Sequence, residues 1–261
     1  MADLNLSFYQ YDIAWGDKPQ NLSLVEGVLS RLSGASDLLV LPETFSTGFS
    51  MQTQELAEPA LGDTMTTLSR WAQQYGVAVA GSFICREEGN CYNRAFLLTP
   101  DGGCSFYDKR HLFRMGGEHQ LFSVGKRPLI VSYKGWNISL LVCYDLRFPV
   151  WSRNVDNGYD LLLYCANWPA ARADAWASLL KARAIENCAY VAGVNRTGRD
   201  GNGVAHRGQS GVYDYKGGLM NEPSDGEQLC TVTLSLERLQ QFREKFPVWM
   251  DADRFNIDLY E

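Results

Sequence analysis

The chain has 261 residues, 46% of them hydrophobic and 21% charged, with a formal net charge of −6. That length supports a large buried core, and the acidic balance gives no electrostatic reason to expect nucleic acid or an anionic membrane as a partner. No apolar run approaches the roughly eighteen residues of a membrane span, and residues 1–10 lack a basic stretch followed by an apolar one. No signal peptide is expected, and a cytoplasmic location is.

Strand-length apolar runs alternate with helical patterns. Residues 4–11 read as a strand, 21–32 as an amphipathic helix and 38–41 as a buried strand stopped by Pro42. A helix over 64–75 leads into a strand over 77–83, and further strands are expected at 94–98, 129–133 and 137–142. A short helix over 148–155, a strand over 160–165 and a long helix over 173–187 follow. Strands at 190–194, 211–215 and 228–234 and a helix over 236–246 complete the pattern. This alternation predicts an α/β layered fold. The central strands are continuous in Val, Leu and Ile, so helices should cover them. Without repeats or linker-like stretches, residues 1–261 read as one domain.

Seven cysteines are scattered without a C-x-x-C pair, and their odd number argues against a disulfide framework. His111, His119 and His206 show no metal-ligand spacing, so neither metal nor cofactor is expected. With so few imidazoles, a nucleophilic thiol would have to look to carboxylates and lysine for help.

Cys143 ends the apolar run Leu140-Leu141-Val142, where the chain turns polar and basic. A thiol there is either a small hydrophobe finishing a core strand or a nucleophile fixed by the sheet and open to a crevice. Glu43 follows Leu39-Val40-Leu41-Pro42, and Lys109 follows Phe106-Tyr107-Asp108, in the same manner. Singly they read as a turn acid and a surface cation. Together, at the carboxyl ends of strands, they supply a base, a cation and a thiol, a set suited to attack on a carboxamide.

These residues carry a family resemblance. Leu41-Pro42-Glu43, Tyr107-Asp108-Lys109-Arg110-His111-Leu112-Phe113 and Cys143-Tyr144-Asp145-Leu146-Arg147-Phe148-Pro149 resemble the nitrilase, or carbon–nitrogen hydrolase, superfamily. Ala166-Asn167-Trp168-Pro169 and Ala182-Arg183-Ala184-Ile185-Glu186-Asn187 extend the match over nearly the whole chain. The resemblance implies a four-layer α-β-β-α sandwich, a Glu43–Lys109–Cys143 triad, a supporting Glu118, and homodimers or larger assemblies. Glu43 would take the thiol proton, or stand beside a thiolate already stabilised by Lys109. The Lys109 ammonium and the Tyr144 backbone N–H are the candidate donors to the developing oxyanion.

Within the superfamily the chain is most similar to the ω-amidases, which hydrolyse 2-oxoglutaramate and 2-oxosuccinamate. Such substrates carry a carboxylate away from the amide, which arginine recognises well. Arg172 is the first candidate, with Arg147 and Arg114 behind it, and Phe113 and Trp168 are expected to form apolar walls. The alternatives are deaminated-glutathione amidase, another small-amide, nitrile or carbamoyl hydrolase, or a non-catalytic binding scaffold. A redox sensor at Cys143 would want a resolving cysteine nearby in the chain, and none is there. There is no G-x-S-x-G elbow, and the glycines at 198–203 do not form a phosphate-loop pattern.

Overall fold

The computed structural model describes residues 3–258. In chain order its elements are β1 (Leu4–Gln10), α1 (Lys18–Leu32), β2 (Leu38–Val40), α2 (Thr53–Leu56), α3 (Asp63–Tyr75), β3 (Ala78–Glu87), β4 (Asn90–Leu98) and β5 (Cys104–Asp108). There follow α4 (Glu118–Leu121), β6 (Ile130–Tyr133), β7 (Trp136–Val142), β8 (Leu161–Ala166), α5 (Ala173–Asn187) and β9 (Tyr190–Asn195). The last are β10 (Thr197–Arg199), β11 (Ala205–Arg207), β12 (Gly211–Tyr213), β13 (Gln228–Leu234) and α6 (Leu236–Lys245).

Two large mixed sheets form the centre. One has the order β13-β1-β2-β3-β4-β5 and the other β12-β9-β8-β7-β6. In the first, β1, β2 and β3 run parallel between antiparallel neighbours; in the second, β7, β8 and β9 do. The period-2 alternation of strands sorts their side chains into layers. Leu38 and Val40 join a core shared with the second sheet, while Leu39 and Leu41 face the other way, onto Val25 and Leu29 of α1 and Leu68 and Trp71 of α3. Trp176, Leu180 and Ala184 of α5 cover the second sheet. The approach is close: a Cβ on Gly193 of β9 would lie 2.4 Å from the Leu180 side chain. The expected α/β sandwich is therefore present, with helices outside and both sheets inside.

Local chemistry sets most boundaries. The Asp17 side chain accepts the Gln20 N–H at 3.0 Å, so α1 begins earlier than the apolar pattern suggests, with Pro19 in its first turn. Glu88 and Gly89, both at positive φ, close a tight hairpin that carries β3 and β4 well past the short strands expected there.

One expected element is absent. Residues 148–155 form no α-helix; a 3-10 turn at Cys143–Arg147 precedes them and another at Val155–Asn157 follows. Pro149 keeps Phe148 out of helical backbone, at φ −116° and ψ 89°, and lacks an N–H. Beyond it the Asn154 carboxamide bonds both the N–H and the C=O of Tyr159, at 3.1 and 2.9 Å, replacing helical bonds with a side-chain bridge.

No helix among the described residues is long and apolar enough to cross a membrane. Of the glycines at 198–203, Gly198 and Gly201 follow from packing and Gly203 from its left-handed φ of 78°. A Cβ on Gly198 would sit 2.1 Å from Asp12, and one on Gly201 2.4 Å from the Trp15 ring.

Candidate active site

Glu43, Lys109 and Cys143 share the wall of one pocket of about 400 Å³ at the carboxyl ends of β2, β5, β7 and β8. Each arrives by a different piece of local structure. Beyond β2, Thr44 takes a left-handed φ of 45° and donates its N–H to Ser82 Oγ at 2.8 Å. The Glu43 carbonyl meanwhile accepts Asn167 Nδ2 at 2.5 Å. Lys109 continues the β4–β5 register by donating its N–H to the Asn93 carbonyl at 3.0 Å. Cys143 ends β7 at φ 43°, a left-handed conformation that a non-glycine residue adopts at a cost of about 1–3 kcal/mol. That kink turns the chain into the 3-10 turn and points the thiol into the pocket rather than along the sheet.

The charged centre is buried. Lys109 Nζ donates to Glu43 Oε1 at 2.8 Å and to both oxygens of Glu118 at 3.0 Å, with all three side chains at most 1% exposed. Glu43 Oε2 accepts the Asn167 N–H at 2.9 Å, and Glu118 Oε2 accepts the Phe113 N–H at 2.5 Å. Burial alone would lower the Lys109 pKa, but Glu118 and then Glu43 outweigh it and hold the ammonium above its ordinary value. Burial raises the Glu118 carboxyl, against the pull of Lys109. Burial and the facing Glu43 carboxylate push the Cys143 thiol well above its ordinary value; Lys109 opposes them without prevailing. In this state the sulfur keeps its proton at neutral pH.

One further carboxylate ties the lysine segment to the thiol segment. Asp145, fully buried in the turn after Cys143, accepts the Val142 N–H at 3.0 Å and the Tyr107 hydroxyl at 2.8 Å. It also accepts the His111 N–H at 2.9 Å and lies 2.8 Å from His111 Nδ1. Tyr107 and His111 flank Lys109, so the two segments cannot shift independently. Arg183 of α5 anchors the same turn through the Leu146 carbonyl at 2.7 Å.

The carbon–nitrogen hydrolase profile matches residues 5–244. The chain belongs to that family. It is 46% identical to the omega-amidase YafV of Escherichia coli K12, across 98% of this chain and 100% of that protein. It is 34% identical to the 2-oxoglutaramate amidase of Bacillus subtilis, across 98% of each. The crystal structure of XC1258 from Xanthomonas campestris is described as a CN-hydrolase superfamily protein with an arsenic adduct in its active site. It superposes with a TM-score of 0.96 at 43% identity, covering 99% of this chain and 100% of that one.

In this carbon–nitrogen hydrolase the remaining wall is aromatic and cationic. Phe113, Tyr144, Arg147, Trp168 and Arg172 all line the pocket. The Arg147 guanidinium lies 5.0 Å from the Trp168 ring and that of Arg172 lies 5.3 Å from Phe113, and the Trp168 indole N–H donates to the Arg172 carbonyl at 2.7 Å. Arg114 is exposed on the 3-10 turn Arg114–Gly116 and does not line the cavity.

Several site residues carry no signal that sequence reading used. Phe49, Met51 and Met115 add apolar wall, and Asp200, Asn202, Val204 and His206 form a rim from the β10–β11 hairpin. Asn167 stood inside a matched segment at the end of β8, the same position in the strand grammar as the triad, yet had no role assigned. Among the described residues, no cluster of three His, Cys, Asp or Glu side chains is arranged to hold a metal ion.

Replacing Asp145 by Asn turns an acceptor oxygen into a donor among these N–H and O–H groups. The variant should lose about 1–3 kcal/mol of stability, read as a lower urea midpoint. An unchanged midpoint would show that these donors find other partners.

Proposed function

We propose that this hydrolase cleaves the ω-amide of small 2-oxo dicarboxylic acid monoamides, 2-oxoglutaramate and 2-oxosuccinamate, to the 2-oxo acid and ammonia. The observation that carries the reading is a thiol, a carboxyl group and a lysine ammonium on one pocket wall, with arginines on the same cavity. The omega-amidase and 2-oxoglutaramate amidase among its relatives support the substrate class. Two buried carboxylates and a lysine cost several kcal/mol to desolvate, which a binding scaffold gives no reason to bear.

The raised thiol pKa selects between the two roles open to Glu43. A sulfur that keeps its proton needs a base at the moment of attack, so Glu43 takes the Cys143 proton as the sulfur–carbon bond forms. Charge then moves to the carbonyl oxygen. One Lys109 N–H serves Glu43 and one is shared by the two Glu118 oxygens, leaving the third for the oxyanion beside the Tyr144 backbone N–H. Glu43 returns the proton to nitrogen, the carbon–nitrogen bond breaks and ammonia leaves a thioester on Cys143. Water attacks that thioester with Glu43 again accepting a proton, the carbon–sulfur bond breaks, and the thiol is restored. Glu118 keeps Lys109 oriented throughout.

Among the described residues neither Arg147 nor Arg172 has a carboxylate partner; both rest on aromatic rings at the cavity wall. Arg172 is the less exposed and is the proposed carboxylate site, with Arg147 beside it and Phe113 and Trp168 as walls. We take residues 1–261 as one catalytic domain working in the cytoplasm, a reading that its seven free cysteines support. The family resemblance supports a homodimer or larger assembly, and we assign its contact to the groove shared by Val155, Met250 and Phe255, which are 59, 69 and 43% accessible.

Cys143→Ala should lower kcat on 2-oxoglutaramate by at least about a thousandfold with the fold intact, and Glu43→Gln should leave the intact protein free of acyl mass, because the attack that forms the thioester then lacks its base. Appreciable ammonia release by Cys143→Ala would refute the nucleophile. A wild-type enzyme that prefers deaminated glutathione or a simple nitrile would refute the substrate. Arg172→Ala should raise KM about tenfold or more for carboxylate substrates and little for neutral amides; equal rises would place carboxylate recognition elsewhere. Light scattering should give the mass of two or more chains, and a monomer would remove the proposed contact.

A further inference from the structure

Asn93 lies in the middle of β4, opposite Ile84 of β3, and is 1% exposed. It shares a strand face with Ala95 and Leu97, which pack into the core between the sheets. A carboxamide in that setting is costly unless its groups are paired. Here they are. Nδ2 donates to Glu43 Oε1 at 2.7 Å and to Glu118 Oε1 at 3.0 Å, while Oδ1 accepts Ser82 Oγ at 3.0 Å. The opposite orientation of the amide would set its oxygen against two carboxylates, so the contacts fix which way it points. The backbone carbonyl of the same residue accepts the Lys109 N–H.

We propose that Asn93 is a positioning residue for the acyl-transfer chemistry, holding at a fixed separation the two carboxylates that share the Lys109 ammonium. This rests on the reading of Cys143 as nucleophile and Glu43 as base, though not on any particular amide. One ammonium cannot balance two buried carboxylates, and the two N–H groups of Asn93 supply the missing donors without adding charge. The ionisable groups facing the amide are Glu43 beyond β2, Glu118 of α4 and Lys109 beyond β5, with Cys143 facing Glu43 and Lys109; Ser82 of β3 is neutral. Without the amide, the carboxylate pair meets its deficit by taking up a proton at higher pH. A proton on Glu43 removes the base for the thiol. The Asn93 bond already lowers the Glu118 carboxyl against the burial that raises it.

The test is the pH profile of Cys143 alkylation by iodoacetamide, read by mass on the Cys143 peptide, in wild type and Asn93→Ala. The acid limb should move up by about one pH unit. In parallel, kcat for 2-oxoglutaramate at neutral pH should fall by about tenfold or more while KM changes by less than about threefold. Superimposed alkylation profiles with an unchanged kcat would overturn the proposal. Circular dichroism establishes whether Asn93→Ala is folded. If it is not, Ser82→Ala decides, since it removes the partner of Asn93 Oδ1 and so loosens the amide's hold on both carboxylates while keeping Asn93. A smaller shift in the same direction supports the proposal, and an unshifted profile overturns it. Alkylation needs no amide substrate, so a shifted limb with no turnover of 2-oxoglutaramate still supports Asn93 and counts only against the substrate.

Discussion

An ammonium buried between two carboxylates sets the terms for everything near it. Lys109 contributes one positive charge, Glu43 and Glu118 two negative ones, and with side chains at most 1% exposed they have little solvent to soften a misfit. Such an arrangement holds only if the three chain segments that deliver it are fixed to within the length of a hydrogen bond. That requirement explains features otherwise hard to rationalise: the left-handed Thr44, the Asn167 amide folded back on the Glu43 carbonyl, and the backbone N–H of Phe113 committed to a glutamate oxygen. The sandwich meets it by placing the centre where two sheets meet, so that rigid strands end there from both sides.

The thiol stands under the opposite constraint. It must be near the charges but not ionised by them, since a resting thiolate beside Glu43 would be repelled. Burial and that carboxylate keep the proton on sulfur, and the kink at Cys143 keeps the sulfur on the cavity wall. Reactivity is thus stored as geometry and released when a substrate carbonyl offers somewhere for the electrons to go.

That Glu43, Lys109 and Cys143 come together on one cavity wall was legible in the sequence chiefly through the family resemblance, since a polar residue at the end of a strand is by itself an ordinary cap or surface charge. Asn93 and Ser82 were not legible. Each falls inside a strand, where one polar residue in the alternation resembles an ordinary solvent-facing position, and only the partner sheet shows that the face is covered. The β10–β11 hairpin was hidden by its length, three residues per strand, too few to show a period. The helix expected over 148–155 failed for a related reason. Its aromatics are spent on long-range partners: Phe148 stacks on His111 at 3.8 Å between ring centres, and the Trp151 indole donates to Tyr107 at 2.9 Å. Periodicity records apolar spacing, not which element collects it.

The hairpin that rims the cavity belongs to neither large sheet. Thr197 bridges to Asp12, buried Arg196 pairs with that same aspartate, and Gly198 and Gly201 press so closely on Asp12 and Trp15 that larger residues would not fit. Its root is therefore clamped, while its tip, with Asp200, Asn202 and Val204, meets whatever enters. The tip is thus a stretch of cavity wall set apart in the chain from the buried charged centre. New side chains at the tip could retune which molecules are admitted while the buried electrostatics behind them stay as they are.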